Sequence, residues 1–333
     1  MKAMMYMRYG SPDMLELREV EQPIPLDDEV LVEIHAASVN AYDWHFLTAD
    51  VFLIRLMGGG LFRPAKHTLG ADISGKVVTV GKNITRFQPG DEVFGNAKGG
   101  RGGFAEYVCA LEKSLQLKPA NVSFEEAAAA PLAAMTALQG LRDHGQIQPG
   151  NKVLIYGASG GLGTFAIQIA KAFAAEVTAV CSSRNVSIAH SIGADHVIDY
   201  AQDDFMKSGE RYDLILVANG NLSISDFKGT LKPNGICVLS GGGSSTIPEL
   251  LIGMLQGWWI LKTENIKISS FMTKINQEDL GVIRELLASG KVKPVIDRRY
   301  SLEDTADALR YIGEGHAQGK VVIFPQGIPE SPS

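Results

Sequence analysis

Glycines at a regular spacing follow a short apolar run near the middle of the chain. Residues 153–156 read Val-Leu-Ile-Tyr, residues 157–163 read Gly-Ala-Ser-Gly-Gly-Leu-Gly, and a helical pattern fills residues 164–173. Glycine lets the backbone turn sharply and approach a ligand closely, and the following helix N-terminus attracts negative charge. This order of strand, turn and helix predicts dinucleotide binding rather than an ordinary turn. The expected cofactor contacts in the turn are Gly157, Ser159, Gly160, Gly161, Leu162 and Gly163.

The end of the next strand indicates which dinucleotide binds. Residues 176–181 form an apolar run that ends in Ser182, Ser183 and Arg184. Folds that prefer NAD place a carboxylate here, about 20 residues past the glycines, to accept from the ribose 2′-hydroxyl. Two hydroxyls and a guanidinium instead suit a 2′-phosphate, so the missing acid favours NADPH. Alternatively, the serines cap the following helix and Arg184 is a solvated charge.

Composition is typical of a globular enzyme. The 333 residues exceed the usual size of one domain, and 45% are hydrophobic while 20% are charged. A net charge of −6 gives no basis for nucleic-acid binding. Three scattered cysteines, Cys109, Cys181 and Cys237, are too few for a disulfide framework and indicate a reducing compartment. The N-terminus shows no signal-peptide pattern, so we expect a cytoplasmic protein without integral membrane association.

The pattern of short apolar runs predicts three pieces of chain. Residues 1–124 contain short β-like runs between Gly/Pro turns, which is typical of a β-barrel-like domain. Residues 125–271 alternate strand and helix, which predicts a doubly wound parallel sheet with its ligand at the carboxyl ends of the strands. Residues 272–333 are too short to extend that fold much, so we expect them to rejoin the first piece.

Motifs in a fixed order along almost the whole chain resemble the medium-chain dehydrogenase/reductase superfamily, in its zinc-free quinone oxidoreductase branch. They lie at residues 87–95, 102–107, 127–138, 193–200 and 319–322. The resemblance implies an α/β protein in which a GroES-like β-barrel catalytic domain is split around a Rossmann domain. It also implies an active site in the cleft between the two domains.

Three positions separate the chain from the zinc-dependent alcohol dehydrogenases that it also resembles. Asn40 stands where those enzymes carry Cys, Ala71 stands where they carry His, and Leu132 falls near their later Cys. Asn, Ala and Leu cannot supply the thiolate or imidazole that zinc needs, so we expect no metal. Without a Lewis acid, hydride transfer to a quinone, enone or 2-alkenal is favoured over alcohol oxidation. The alternative is a non-enzymatic NADPH-binding structural or sensor protein of the same fold.

Four residues are candidates for the catalytic site. The resemblance implies that Asn40 and Thr136 face the nicotinamide end of the cofactor, although a turn residue and a helix-interior residue would look the same. Asp43 and His45 follow Asn40 within one short segment. Histidine ordinarily has a pKa near neutrality, so His45 is our candidate proton donor, with ribose binding or no role as alternatives.

The remaining cofactor contacts are expected at the carboxyl ends of strands. Tyr200 resembles the residue beside the adenine or its 2′-phosphate, and Val217, Ala218 and Phe271 end later strands. Lys320 is assigned to a cofactor phosphate, or else to the surface. We expect a homodimer that acts on a small quinone or enone.

Two apolar segments, at residues 51–62 and 247–261, are too short or too interrupted to span a bilayer. We expect them to pack in the core or to form walls of the substrate cleft. A contact with a second subunit or with a membrane surface is the alternative.

Overall fold

The computed structural model describes residues 1–50, 55, 60–219, 229–240 and 266–329. The contacts within the chain divide it into two compact units. The first unit is Met1–Met135 with Ile275–Ser333, and the second is Thr136–Lys274. The apolar segment 247–261 and most of the apolar segment 51–62 lie outside the described residues, and the domain boundaries at 124 and 271 stay predictions.

Helices and strands alternate with short turns throughout the described part of the chain. The strands are β1 (Lys2–Tyr6), β2 (Leu15–Glu19), β3 (Glu29–Val39), β4 (Asp72–Val80), β5 (Glu92–Asn96), β6 (Tyr107–Leu111), β7 (Leu115–Leu117), β8 (Lys152–Tyr156), β9 (Glu176–Cys181), β10 (His196–Asp199), β11 (Tyr212–Val217), β12 (Leu231–Leu239), β13 (Lys267–Ser270), β14 (Ile296–Ser301) and β15 (Lys320–Phe324). The α-helices are α1 (Ala41–Thr48), α2 (Phe124–Ala129), α3 (Pro131–Gln139), α4 (Gly161–Ala172), α5 (Val186–Ser191), α6 (Gln277–Ala288) and α7 (Thr305–Gly313). Within the described ranges, no helix has the length and apolar character needed to cross a membrane.

A seven-stranded sheet organises the first unit. Its order is β14-β15-β3-β4-β5-β7, and β6 also pairs with β3. The two C-terminal strands therefore enter the same sheet as the N-terminal ones, through antiparallel pairing of β15 with β3. The long strand β3 is buried along most of its length and packs with Tyr6, Leu47, Ile73 and Phe104 in the core.

Strand register places polar side chains next to one another inside this sheet. Ser38 of β3 pairs with Asp72 of β4, and Asp72 pairs with Asn96 of β5. Val39, the last residue of β3, pairs with Val321 of β15. Since the pairing of β3 with β15 is antiparallel, the residue after β3 lies beside the first residue of β15.

A six-stranded sheet organises the second unit, and each of its described pairings is parallel. Its order is β10-β9-β8-β11-β12-β13. Numbered from β8, this order is 3-2-1-4-5-6, which is the doubly wound Rossmann order. The predicted Rossmann fold is confirmed. In such a sheet the ligand crevice lies outside the carboxyl ends of the strands where the order reverses, here β8 and β11.

Candidate active site

The glycine turn after β8 has the backbone geometry that its sequence predicts. Gly157 has a φ of +75°, a conformation that favours glycine. A Cβ atom on Gly163 would lie 2.3 Å from the carbonyl oxygen of Gly157, so this position also requires glycine. A Cβ atom on Gly160 would have only the Gly157 oxygen, at 3.8 Å, within 4 Å among the described atoms. None of the described residues therefore fills the space beside Gly160, where a ligand could bind.

Helix α4 begins directly at this turn and runs for twelve residues. Gly160 is its N-cap, and the amide of Thr164 makes the first bond back to the Gly160 carbonyl oxygen at 3.0 Å. The first amides of a helix have no partner inside the helix, and they present partial positive charge. The start of α4, at Gly161, Leu162 and Gly163, therefore fits the pyrophosphate of a dinucleotide in the space beside Gly160. Ser159 lies within the same turn.

Strand β11 brings two further predicted residues beside the turn. Val217, its last residue, pairs with Tyr156, and the amide of Ala218 donates to the Tyr156 carbonyl oxygen at 2.9 Å. Tyr156 immediately precedes the glycine turn. The structure thus brings Val217 and Ala218 to the point where the order of the sheet reverses.

The end of β9 carries the residues predicted to choose between NADPH and NADH. Ser183 and Arg184 are exposed and Ser182 is half-buried. Ser182 Oγ accepts from Asn185 Nδ2 at 3.0 Å and makes no capping bond to the backbone. Ser183 Oγ donates to a carboxylate oxygen of Asp199 at 2.5 Å.

Asp199 contacts a predicted cofactor residue, and the sequence interpretation did not include it among the candidates. It ends β10, pairs with Cys181 at the end of β9, and is 8% exposed. The sequence interpretation looked for an acid only at the end of β9 itself. Parallel pairing of β10 with β9 brings Asp199 to that strand end from the neighbouring strand. The signal was present, because Asp199 and Tyr200 close the motif at residues 193–200. Tyr200 is 58% exposed, and its amide donates to the Cys181 carbonyl oxygen.

Thr136 and Phe271 each contact another side chain of the second unit. The hydroxyl oxygens of Thr136 and Thr273 are 2.7 Å apart. The ring of Phe271 stacks on that of His144, with ring centres 4.3 Å apart and planes inclined by 13°. His144 Nδ1 in turn lies 2.8 Å from Ser269 Oγ. The contact of Thr136 with the nicotinamide stays a prediction.

Five polar side chains form a buried polar cluster in the first unit: Asn40, Asp43, Asp72, Asn96 and Lys320. Asp43, Asp72 and Asn96 are fully buried, and Lys320 is 3% exposed. Lys320 Nζ donates to Asn40 Oδ1 at 2.5 Å. Asn40 Nδ2 donates to Asp72 Oδ2 at 3.0 Å, and Asn96 Nδ2 donates to Asp72 Oδ1 at 2.7 Å. Lys320, predicted at a cofactor phosphate or on the surface, is thus bonded inside the sheet.

Backbone amides complete the cluster. Asp43 accepts from the amide of Asn40 at 2.9 Å and from that of Gly70 at 2.8 Å. Asp72 Oδ1 also accepts from the amide of Leu132 at 3.1 Å. Asn40 and Leu132, two of the positions where zinc enzymes carry ligands, therefore both donate to Asp72. Among the described residues, no group of three or more His, Cys, Asp or Glu side chains could hold a metal ion.

Burial controls the protonation of the cluster. Burial raises the pKa of Asp43 to about 7 and that of Asp72 to about 6, and the nearby Lys320 ammonium opposes the rise at Asp72. Burial also lowers the pKa of Lys320, against the attraction of both carboxylates. Since two acids share one ammonium, uptake of one proton by the pair would balance the buried charge.

His45, the predicted proton donor, lies on α1 and is partly exposed. Its Nδ1 atom is 2.9 Å from Asp50 Oδ1, and the side chain of His45 is 40% exposed. A carboxylate on one ring nitrogen fixes the orientation of the imidazole. The sequence interpretation did not find this partner, because Asp50 lies beyond the end of the helix at Thr48.

Comparisons with known proteins agree with this architecture. The family model described as "Alcohol dehydrogenase GroES-like domain" matches residues 26–120, and that described as "Zinc-binding dehydrogenase" matches residues 192–323. A chloroplastic quinone-oxidoreductase of Triphysaria versicolor is 34% identical, over 98% of both chains. A chloroplastic NADPH-dependent alkenal/one oxidoreductase of Arabidopsis thaliana is 31% identical, over 98% of this chain and 80% of its own.

A solved structure of a quinone oxidoreductase has the same fold. The quinone oxidoreductase of Coxiella burnetii superposes with a TM-score of 0.85 at 28% identity, covering 98% of this chain and 99% of its own. The chain belongs to the medium-chain dehydrogenase/reductase superfamily, in its quinone oxidoreductase-like branch. The predicted combination of a GroES-like domain with a Rossmann domain is confirmed, and the protein is an oxidoreductase.

Proposed function

We propose that this protein is an NADPH-dependent reductase of quinones or of conjugated enones and 2-alkenals. The observation that carries the proposal is the glycine turn at the switch point of a Rossmann sheet, where no described residue fills the space beside Gly160. The names of the relatives support the reaction class, since they describe reductions of quinones and of alkenals or enones.

The protein's own residues would divide the work between binding and chemistry. The amides at the start of α4 would hold the pyrophosphate, and Ser182 and Arg184 would bind the 2′-phosphate. Thr136 would orient the nicotinamide through its hydroxyl group. The side-chain amide of Asn40 is bonded to Lys320 and Asp72, so Asn40 could serve the nicotinamide only after giving up one of these bonds. Bound NADPH supplies a hydride.

Reduction of a conjugated alkene also requires a proton and stabilisation of negative charge on the conjugated oxygen. Hydrogen-bond donors can stabilise that charge without a metal. His45, held at Nδ1 by Asp50, would supply the proton. Asp43 accepts two backbone amides inside the buried polar cluster, so we assign it to holding the segment that carries Asn40 and His45.

Purified protein tests the proposal with a panel containing a quinone, an enone, a 2-alkenal and a saturated ketone. We expect NADPH consumption with the first three and none with the ketone, and a chelator should leave the rate unchanged. NADPH binding without turnover on any of the four would overturn the proposed substrate classes.

Arg184→Ala tests the assignment of the cofactor. Loss of a charge-assisted contact to the 2′-phosphate should raise the Kd for NADPH by about one to two orders of magnitude. The Kd for NADH should stay nearly constant, because NADH lacks that phosphate. Fluorescence titration measures both constants. An equal rise for the two nucleotides would show that Arg184 acts structurally.

We further propose a homodimer in a reducing compartment such as the cytoplasm. The three cysteines, Cys109, Cys181 and Cys237, are present as free thiols. Burial raises the pKa of the first two to about 11 and that of Cys237 to about 12, which keeps them unreactive. Light scattering tests the dimer. Cell fractionation tests the location and must include organelles, because the names of both plant relatives place those proteins in chloroplasts.

A further inference from the structure

A carboxylate lies against one of the two serines predicted to bind the 2′-phosphate. Asp199 Oδ2 accepts from Ser183 Oγ at 2.5 Å and from Gln202 Nε2 at 2.8 Å, and Asp199 Oδ1 accepts from the amide of Ala201 at 3.0 Å. An ionised carboxylate has no proton to donate, so the Ser183 hydroxyl is the donor in this bond.

The two serines consequently offer different groups to a ligand. A serine hydroxyl has one proton and two acceptor lone pairs. Ser182 accepts from Asn185 Nδ2, and that bond leaves the Ser182 proton unused. Ser183 uses its proton on Asp199. A phosphate group needs donors, so Ser183 can serve it only after giving up its bond to Asp199.

Asp199 also keeps its negative charge at neutral pH. The hydrogen bond from Ser183, together with that from the Ala201 amide, holds the pKa of Asp199 below its ordinary value. A second anion at the same strand end would therefore meet a carboxylate as well as an occupied hydroxyl. Both effects oppose a 2′-phosphate, and neither opposes a 2′-hydroxyl.

We propose that Asp199 is a specificity-determining residue that restrains the preference for NADPH over NADH. It holds the Ser183 hydroxyl and places negative charge at the end of β9, where this type of fold recognises the ribose 2′ substituent. This inference rests on the proposed function, because it assumes that the dinucleotide binds at the glycine turn. The protein should then use NADH better than the residues Ser182, Ser183 and Arg184 alone would suggest.

The test is the Kd of Asp199→Asn for each nucleotide, measured by fluorescence titration. Removing the charge and weakening the bond to Ser183 should lower the Kd for NADPH about 10-fold and change that for NADH less than about 2-fold. Asp203→Asn is the matched control, because it removes an equal charge from an exposed position four residues further on. It should change neither constant by more than about 2-fold.

Ser183→Ala separates the two parts of the inference and does not depend on the folding of Asp199→Asn. In the wild-type background it should change the Kd for NADPH less than about 2-fold, because the hydroxyl already serves Asp199. In the Asp199→Asn background, Ser183→Ala should remove most of the gain in NADPH affinity. A 10-fold loss from Ser183→Ala alone would show that Ser183 already donates to the phosphate, and would overturn the inference.

Two other outcomes are distinguishable. Equal shifts for NADPH and NADH in Asp199→Asn, or no shift in either, would overturn the inference while leaving the proposed function intact. Wild-type protein that binds neither nucleotide would overturn the proposed function and this inference with it. Thermal unfolding in the presence of each nucleotide supplies a second measure of binding that does not depend on turnover.

Discussion

Lys320 is a buried ammonium whose nearest partners come from the opposite end of the chain. Its Nζ atom bonds to Asn40 and lies 3.9 Å from Asp72 Oδ2. Removing one member of a buried ion pair is much more costly than removing a surface pair, since the remaining charge stays in the interior. The contribution of Lys320 to the free energy of unfolding can therefore be measured without any ligand.

We expect Lys320→Met to lower the free energy of unfolding by about 3–5 kcal/mol near neutral pH. The loss should be smaller in mild acid, where Asp72 can take up a proton. Urea unfolding at two pH values measures both. Lys2→Met is the control, because Lys2 forms an exposed pair with Glu303 and should lose at most about 1 kcal/mol. A loss at Lys320 no larger than the control would contradict the assignment.

We propose that His45 serves the chemistry rather than the stability of the fold. We expect His45→Ala to lower turnover on an alkene substrate about 100-fold, the lower end of the range for general acid catalysis, because water can substitute in part. The Kd for NADPH should not change. Steady-state kinetics and titration check the two expectations.

His45→Ala should lower turnover less with a quinone than with an alkene, because hydroquinone oxygens can take protons directly from water. This comparison serves as an internal control for misfolding, which would lower both rates alike. Unchanged turnover on the best alkene substrate would leave solvent as the proton source.

At the scale of elements, two glycines at the start of helix α4 have different roles. Gly163 packs against Gly157 and Ala158, where a Cβ atom would lie 2.3 and 2.6 Å from backbone atoms. Gly160 has a φ of −75°, which other residues adopt freely, and among the described atoms only the Gly157 oxygen would lie within 4 Å of a Cβ atom there. One glycine thus shapes the turn, and the other leaves room for the ligand.

The two alanine variants should separate these roles. Gly163→Ala should lower the free energy of unfolding by about 1–3 kcal/mol, because the backbone must move to admit the methyl group. Gly160→Ala should leave stability within about 0.5 kcal/mol but weaken NADPH binding, because its methyl group enters the ligand space. Urea unfolding and NADPH titration of both variants test this difference. Equal nucleotide affinity in wild type and Gly160→Ala would place the ligand elsewhere.

At the scale of the whole molecule, groups with raised and lowered pKa values act on stability in opposite directions. Asp43 and Asp72 have raised pKa values, so the folded protein binds more protons than the unfolded chain between about pH 4 and pH 7. Stability from these groups is lost as the pH rises. Asp195 has a lowered pKa, and its contribution is lost only as the pH falls below about 4. Burial lowers the pKa of His35, which partly opposes the two acids near neutrality.

The net expectation is a free energy of unfolding that falls by about 2–4 kcal/mol between about pH 5 and about pH 8. Asp43→Asn should remove roughly half of this fall or more, since Asp43 has the more strongly raised pKa of the two. Glu210→Gln, which removes an exposed carboxyl paired with Lys152, should leave it unchanged. Urea unfolding across the pH range provides the measurement. A fall of the same size in Asp43→Asn would refute the role of this carboxyl.

Local sequence determined the elements of the Rossmann unit and the residue types at the zinc-ligand positions. The order of apolar run, glycine turn and helix specified the Rossmann unit, because each of these elements is encoded within about 20 residues. Asn40, Ala71 and Leu132 predict that zinc ligands are missing, because the identity of a side chain decides whether it can bind a metal.

Only the tertiary structure decided which side chains meet. Lys320 bonds to Asn40 across 280 residues of sequence, because β15 pairs with β3. Asp199 reaches Ser183 because β10 lies parallel to β9. Burial then sets the pKa of Asp43 and Asp72, and burial follows from packing around the sheet rather than from the residue type. Periodicity and motifs report the neighbours of a residue along the chain, whereas strand pairing and burial depend on the complete sheet.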